Sequence, residues 1–316
     1  MISVGVDVGG TSSRCVVVDA EGQQLGRADG PGANLHRHGA AEAADRIAGL
    51  VRHALGASAS GGAGVCAAVG AAGLDTDDAA RALAAALLGA APDIRWRVAN
   101  DAVAAWRGAF GAGRRGVVAI SGTGSVAYAR HGDREARAGG WGVELGDEGS
   151  GYDIGRRALI ALLRHHDGIG PASALREPIL ARLGLTRVDA IIDHVHFEMQ
   201  PSDVAALTPI VLAQARNRDS LSASIIDAAA GALVEIAAAA AAAVRREPTE
   251  DIPLALAGGV CRDPYFVERV RRRCAEPPLR LPWHPALATP VMGAVALATD
   301  LAGSASPDED KDLVER

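Results

Sequence analysis

The sequence predicts an α/β protein in two lobes, each a mixed sheet with helices, and three observations carry that prediction. A glycine-threonine loop set between two β-branched runs occurs at residues 4–19, VGVDVGGTSSRCVVVD, and again at residues 116–130, GVVAISGTGSVAYAR. Each reads as a β-hairpin whose tip is nearly stripped of side chains. The pattern of strands and helices restarts at the second loop, after the short glycine- and arginine-rich link GAGRRG. Finally, 316 residues with 49% hydrophobic content suffice for two buried cores, and no long low-complexity linker interrupts them.

Strand patterns open the chain at residues 2–8, 14–19 and 24–28, a meander that passes through the loop PGANLHRHG into a helix over AAEAADRIAGLVRHAL. Residues 62–73 then read as a strand, residues 75–90 as a helix opened by acids, WRVAND as a strand and AVAAWRGAFG as a helix. This places the first lobe at residues 1–110. In the second lobe, residues 111–289, the hairpin and the following ARAGGWGVELG are expected as antiparallel strands before a largely helical stretch, and PLALAGGV adds a late strand. A final helix at about 290–303 is expected to pack back on the first lobe, with a frayed acidic tail at 304–316. The apolar stretch 225–244 holds Asp227 and Glu235 and is mostly alanine, so it reads as a buried helix and not a membrane span.

Glycine at the two tips permits positive φ and lets backbone N–H groups approach a ligand, while threonine or serine adds a hydroxyl donor. A single such loop is usually only a turn, but two in successive halves suit a polyphosphate gripped from both sides of a cleft, which points to a nucleotide. Net charge of −6 and pI near 5.9 argue against a nucleic-acid binder, and aromatics at 3% leave few stacking platforms. The cluster Arg269, Arg271, Arg272 and Arg273 reads as a solvated helical face. Four scattered cysteines without a C-x-x-C pair fit a reducing compartment, and the chain enters a strand pattern at once without a basic and apolar leader, so a cytoplasmic location is expected.

The ordered set VGVDVGGTSSR, PGANLHRHG, VANDAVAAW, VAISGTGSVAYA, AGGWGVELGDEGSGYDIGRRAL, LALAGGV and PVMGAVALA resembles the BadF/BadG/BcrA/BcrD ATPase family. Within that family it is similar to the N-acetylglucosamine and glucosamine kinases. The resemblance covers most of the chain, and GGWGxxLGDEGSG is its most specific part. It implies an actin-like ATPase (ribonuclease H-like) fold and ATP-dependent phosphorylation of the 6-hydroxyl of glucosamine or N-acetylglucosamine. It also implies a homodimer, and partners that are small molecules only.

On that resemblance, Gly10, Thr11 and Ser12 with Gly122, Thr123 and Gly124 would surround the ATP phosphates, while Asp7 would hold Mg²⁺ through water. Local pattern alone equally allows Asp7 to be a turn-opening aspartate. Asp101 would be the general base, since it follows a strand and so stands where α/β folds bind ligands. Read without the resemblance, it is also what a helix N-cap looks like; with Asp101 as base, Asn100 or the backbone would complete the helix start. Asn34, Gly140, Asp147 and Glu148 are implied sugar contacts, with Trp141 either covering the sugar or packing inside. Gly258 and Gly259 would let adenine lie against backbone. Gly293 and Ala294 would permit a close helix crossing, with the ANDAVAAW helix or the AAVGAAG segment as the expected partner, and sliding of that crossing would let the lobes close. Asp193, His194 and His196 have a metal-like look, since alternate residues of a strand such as His194 and His196 share a face, but no third close ligand group follows.

Two other readings belong to the same fold. ATPase activators of 2-hydroxyacyl-CoA dehydratases hold an iron-sulfur cluster through cysteines, and no cysteine directly follows the GSG here. A non-catalytic nucleotide or sugar sensor would have lost the base, and Asp101 is present. Sugar kinases with a CxCGxxGC zinc site are excluded on cysteines.

Overall fold

In the computed structural model, residues 1–56, 64–113, 115–275, 277–303 and 314–315 are described, and the chain divides into two compact units. One unit comprises Met1–Arg114 with Pro285–Arg316, the other Arg115–His284. The acidic tail expected at 304–316 lies outside the described residues except for its positions 314 and 315.

The first unit opens with β1 (Ile2–Val8), β2 (Ser12–Val18) and β3 (Gln24–Pro31), an antiparallel meander, and continues through α1 (Leu35–Leu55). It then runs through β4 (Val65–Ala71), α2 (Asp77–Ala90), β5 (Ile94–Asn100) and α3 (Asp101–Phe110). The β-branched run of β1 is buried on both faces, as expected of a strand that pairs in parallel with β4 inside an α/β layer. Helix α1 bends at Gly39, whose φ of 70° breaks the helical path. Helix α2 begins at Thr76, whose side chain accepts from Ala79 N. The core gathers Val4, Val6, Ile47, Val69, Leu83 and Trp96.

The second unit starts with β6 (Arg115–Ser121), β7 (Ser125–His131) and β8 (Arg134–Gly139), again an antiparallel meander. Helices α4 (Gly151–His166), α5 (Arg176–Leu183), α6 (Ile191–Phe197), α7 (Pro201–Ala205), α8 (Thr208–Arg216) and α9 (Ser220–Val244) follow. Strand β9 (Leu254–Ala257) then pairs parallel with β6, giving a sheet of order β8-β7-β6-β9 among the described residues, and α10 (Pro264–Cys274) closes the unit. By length and composition α9 could cross a membrane, yet Ile226, Ala229, Leu233 and Ala237 are buried in the core of this unit with Ile154 and Phe266.

Two expectations are corrected here. GGWGVELG does not extend the sheet: β8 stops at Gly139, where Gly139, Gly140 and Gly142 all take positive φ, a backbone path no strand follows. DHVHF is helical and not extended, so His194 and His196, beside Asp193, do not share a face as alternate strand residues would. Among the described residues no group of three His, Cys, Asp or Glu side chains could hold a metal.

The chain returns to the first unit with α11 (Pro290–Gly303) and the short β10 (Val314–Glu315), which pairs parallel with β5. The sheet order there is β10-β5-β4-β1-β2-β3. Helix α11 lies directly on β1 and α3: a Cβ on Gly5 would fall 2.5 Å from Val291 O, and one on Gly293 would overlap the Ala104 carbonyl and fall 2.5 Å from Gly108 N. Both glycines are therefore required by packing.

Candidate active site

In the first unit the parallel strands end in register. Val8 is level with Ala71, and Ala71 with Asn100, so the carboxyl ends of β1, β4 and β5 form one sheet edge. At ordinary strand spacing the ends of β1 and β5 stand about 10 Å apart. The antiparallel β2 starts at that edge, and Ser12 is level with Pro31 at the end of β3. The tip of the first glycine-threonine loop, Asn34 and Asp101 are thereby brought together along one margin by topology alone.

The first tip is closed by its backbone, with Gly9 N donating to Ser12 O at 3.0 Å. It is braced by the chain that leaves β3: Gly32 N donates to Thr11 O at 3.1 Å, and a Cβ on Gly32 would fall 2.5 Å from Gly10 O. Gly10, Thr11 and Ser12 are exposed, and nothing lies within 4 Å of where a Gly10 Cβ would stand. Asp7 lies inside β1 opposite Arg14, with Oδ2 3.9 Å from Arg14 Nη1 and a side chain 19% exposed. Asn34 directly precedes α1, where its carbonyl accepts from Arg37 N and His38 N, both at 3.2 Å.

The junction of β5 and α3 separates two adjacent polar residues. Asn100 is 9% exposed and takes the N-cap: Oδ1 accepts from Ala102 N and Nδ2 donates to Leu74 O, both at 3.0 Å. Asp101, half-buried, is the first residue of the helix and not its cap. The capping reading of Asp101 is thus replaced by Asn100.

The second unit has an edge of its own. Gly122, Thr123 and Gly124 join β6 to β7, and their carbonyls face the start of α4: Gly151 N donates to Gly122 O at 2.8 Å and Tyr152 N to Thr123 O at 3.2 Å. The GDEGSG segment is stitched to the same strand ends. Ser121 Oγ donates to Gly149 O and Ser125 Oγ to Glu148 O, each at 2.7 Å, while Gly149 N donates to Asp153 Oδ2 at 3.0 Å. Ser150 caps α4 by accepting from Asp153 N, and Arg157 Nε donates to Asp153 Oδ1 at 2.8 Å.

Asp147 sits at φ 61°, is 7% exposed and accepts from Ser125 N at 3.2 Å. A Cβ on Gly124 would fall 2.7 Å from Asp147 Oδ2, so the glycine of the loop and the carboxylate fit each other. The side chain of Glu148, next in sequence, is exposed. Gly140 continues from the end of β8, its carbonyl accepting from Arg137 Nη2 at 2.7 Å. Trp141 is 70% exposed with the Arg137 guanidinium 5.9 Å from its ring centre, so the internal-packing reading of this tryptophan does not hold.

Gly258 follows β9 at φ 95°, and a Cβ there would overlap the Ser121 carbonyl. Its glycine is demanded by the end of β6, whereas Gly259 is exposed with nothing within 4 Å. The supporting residues Ser121, Ser125, Asp153 and Arg157 were not singled out from sequence. The serines flanking SGTGS and the i, i+4 spacing of Asp153 and Arg157 were the available signals.

The four cysteines form no disulfide. Burial pushes the thiols of Cys15 and Cys274 up to about 12 and about 11, which disfavours the thiolate that a cluster or metal requires.

Two α/β units, each with a glycine-threonine hairpin tip at a sheet edge, define an actin-like ATPase fold of the kind found in sugar kinases. The chain matches the BadF/BadG/BcrA/BcrD ATPase family over residues 4–298 and belongs to that family. It is 31% identical over 276 residues to the N-acetyl-D-glucosamine kinase of Dictyostelium discoideum, covering 82% of this chain and 85% of that protein. The N-acetylmuramic acid/N-acetylglucosamine kinase of Clostridium acetobutylicum is 35% identical over 178 residues, 55% of this chain and 58% of the relative. Among solved structures, a candidate N-acetylglucosamine kinase from Chromobacterium violaceum superposes with a TM-score of 0.79 at 26% identity, covering 94% of this chain and 98% of that one.

Proposed function

We propose that this protein is an ATP-dependent amino-sugar kinase that transfers the γ-phosphoryl group of ATP to the 6-hydroxyl of N-acetylglucosamine or glucosamine. The observation that carries the reading is the division of labour at β5 and α3: Asn100 performs the capping, and Asp101, half-buried, begins the helix just beyond the carboxyl end of a strand. In the proposed reaction the 6-oxygen attacks the γ-phosphorus and the bond from that phosphorus to the β-bridging oxygen breaks. Asp101 accepts the hydroxyl proton, and ADP leaves.

The exposed tip Gly10, Thr11 and Ser12, and the second tip Gly122, Thr123 and Gly124, supply backbone and hydroxyl donors to phosphate oxygens. Asp147 and the start of α4 hold the second tip in shape. Gly258 and Gly259 are assigned to the adenine side. Asn34, Gly140, Asp147 and Glu148 are assigned to the sugar, with the exposed ring of Trp141 beside them in sequence.

Asp7 fits Mg²⁺ as a single hard carboxylate near the first tip; with no three-ligand cluster among the described residues, water and phosphate oxygens would complete the shell. When bound, the ion supplies neutralisation of phosphate charge. Unbridged cysteines fit a cytoplasmic enzyme, and a homodimer is the proposed assembly.

The test is ADP release with Mg·ATP against N-acetylglucosamine, glucosamine, mannosamine, glucose and no sugar. A kcat/KM for one amino sugar far above glucose is expected. Hydrolysis indifferent to sugar, or a preference for glucose, refutes the proposal.

A further inference from the structure

Helix α4 carries a feature that phosphoryl transfer does not use. Positions 156, 160 and 164 recur every four residues and form one stripe of the helix. Together with Arg157 and the first turns of α9, that stripe lines a cavity of about 400 Å³. Its floor is apolar, with Ile160 facing Leu221 and the buried Ile225, and its rim is cationic.

The three arginines are not equivalent. Arg157 is neutralised by Asp153, whereas the guanidinium groups of Arg156 and Arg164 make no hydrogen bond or ion pair with any described residue. Two unneutralised planar forks over an apolar floor complement an anion that has an apolar part. The loop that contributes Gly170 and Pro171 to the lining is tied a few residues on to the start of α9: Asp219 accepts from Ser222 N at 2.9 Å, Ser173 Oγ at 3.0 Å and Ala174 N at 3.1 Å.

We propose that this groove binds a small organic anion, its phosphate or carboxylate head held by Arg156 and Arg164 and its apolar part resting on Ile160, Leu221 and Ile225. The site communicates with the second glycine-threonine loop through one helix. An anion beside Arg157 competes with Asp153 for that guanidinium, and Asp153 in turn receives Gly149 N while the next residues, Gly151 and Tyr152, donate to the loop carbonyls. Occupancy therefore weakens ATP use. This coupling rests on the reading of residues 122–124 as a phosphate loop, but the binding does not.

The experiment is titration calorimetry of the full chain with phenyl phosphate, phenylacetate and inorganic phosphate, repeated on Arg156→Ser/Arg164→Ser. Both arginines are exposed, so the variant should fold as the parent does, which its thermal unfolding checks. Saturable binding of phenyl phosphate or phenylacetate is expected, tighter than that of inorganic phosphate and weakened about tenfold or more in the variant. Which of the two aromatic probes binds tells phosphate from carboxylate. No saturable heat, or binding unchanged in the variant, overturns the site, and neither result depends on turnover. With binding established, a KM for ATP that rises with ligand in the parent but not the variant supports the coupling; an unmoved KM overturns the coupling.

Discussion

Replacing each of the neighbours Asn100 and Asp101 should split stability from catalysis. Asn100→Ala removes the acceptor for Ala102 N, a cap loss of about 1 kcal/mol. It also leaves the buried Leu74 carbonyl without its Nδ2 donor, which costs about 1–3 kcal/mol. A destabilisation of about 2–4 kcal/mol is expected in urea unfolding, seen as a lower midpoint with an unchanged slope. Asp101→Asn keeps size and helix start, so its midpoint should stay within about 0.5 kcal/mol of the parent. Its kcat should fall at least about 100-fold, near 2.7 kcal/mol of barrier, with little change in nucleotide affinity. The assay is coupled ADP release under saturating amino sugar, run beside unfolding on the same preparations. An Asp101→Asn protein with near-normal kcat refutes Asp101 as the base, and one as unstable as Asn100→Ala returns it to a structural part.

Two further outcomes follow from packing and charge. Gly293→Ala would drive a methyl group into the Ala104 carbonyl and should cost about 1–3 kcal/mol by forcing α11 off α3, whereas Gly303→Ala, with open space around it, should leave the urea midpoint alone; equal midpoints contradict the crossing. Asp219 is opposed in ionising by its burial, but hydrogen bonds from Ser222, Ala174 and Ser173 outweigh this and hold its carboxyl below the usual 3.8. A lowered folded value means its stabilisation is present above the unfolded value and is lost as pH falls through the folded one. Asp219→Ala should therefore lie about 1–2 kcal/mol below the parent at neutral pH, with the gap closing below about pH 4. A gap that persists undiminished at pH 3 counts against this account.

Where local chemistry decides, the sequence was readable. The two hairpins are marked by apolar alternation and bare tips, and β1, β4 and β5 emerge near their expected bounds. The errors fall where tertiary approach decides. DHVHF is too short to tell a period of two from one of 3.6, and the helix is fixed by the burial of Ile191 against the core of its unit. GGWGVELG looks extended until its glycines are seen at positive φ, a choice that no neighbour in sequence dictates. Gly258 reads as room for a ligand, yet the close approach of Ser121 already accounts for it. That contact joins positions far apart in the chain.

The same limit governs the polar pairs. Asn100 with Asp101, and Asp147 with Glu148, are adjacent residues of similar character, and propensity cannot divide them. Packing does so in the same way at both places. The first member is buried and bonded to its own unit, Asn100 to Ala102 N and Leu74 O, Asp147 to Ser125 N. The second is more accessible, Asp101 half-buried and Glu148 exposed. A buried polar group must find fixed partners or lose several kcal/mol, by about the desolvation cost of an unpaired donor or acceptor, so the first position is constrained by folding. The second is less buried, and burial therefore constrains its identity less than that of its neighbour. The helix cap, a stability feature, thus separates Asn100 from the proposed base Asp101, and the paired substitutions above test that separation.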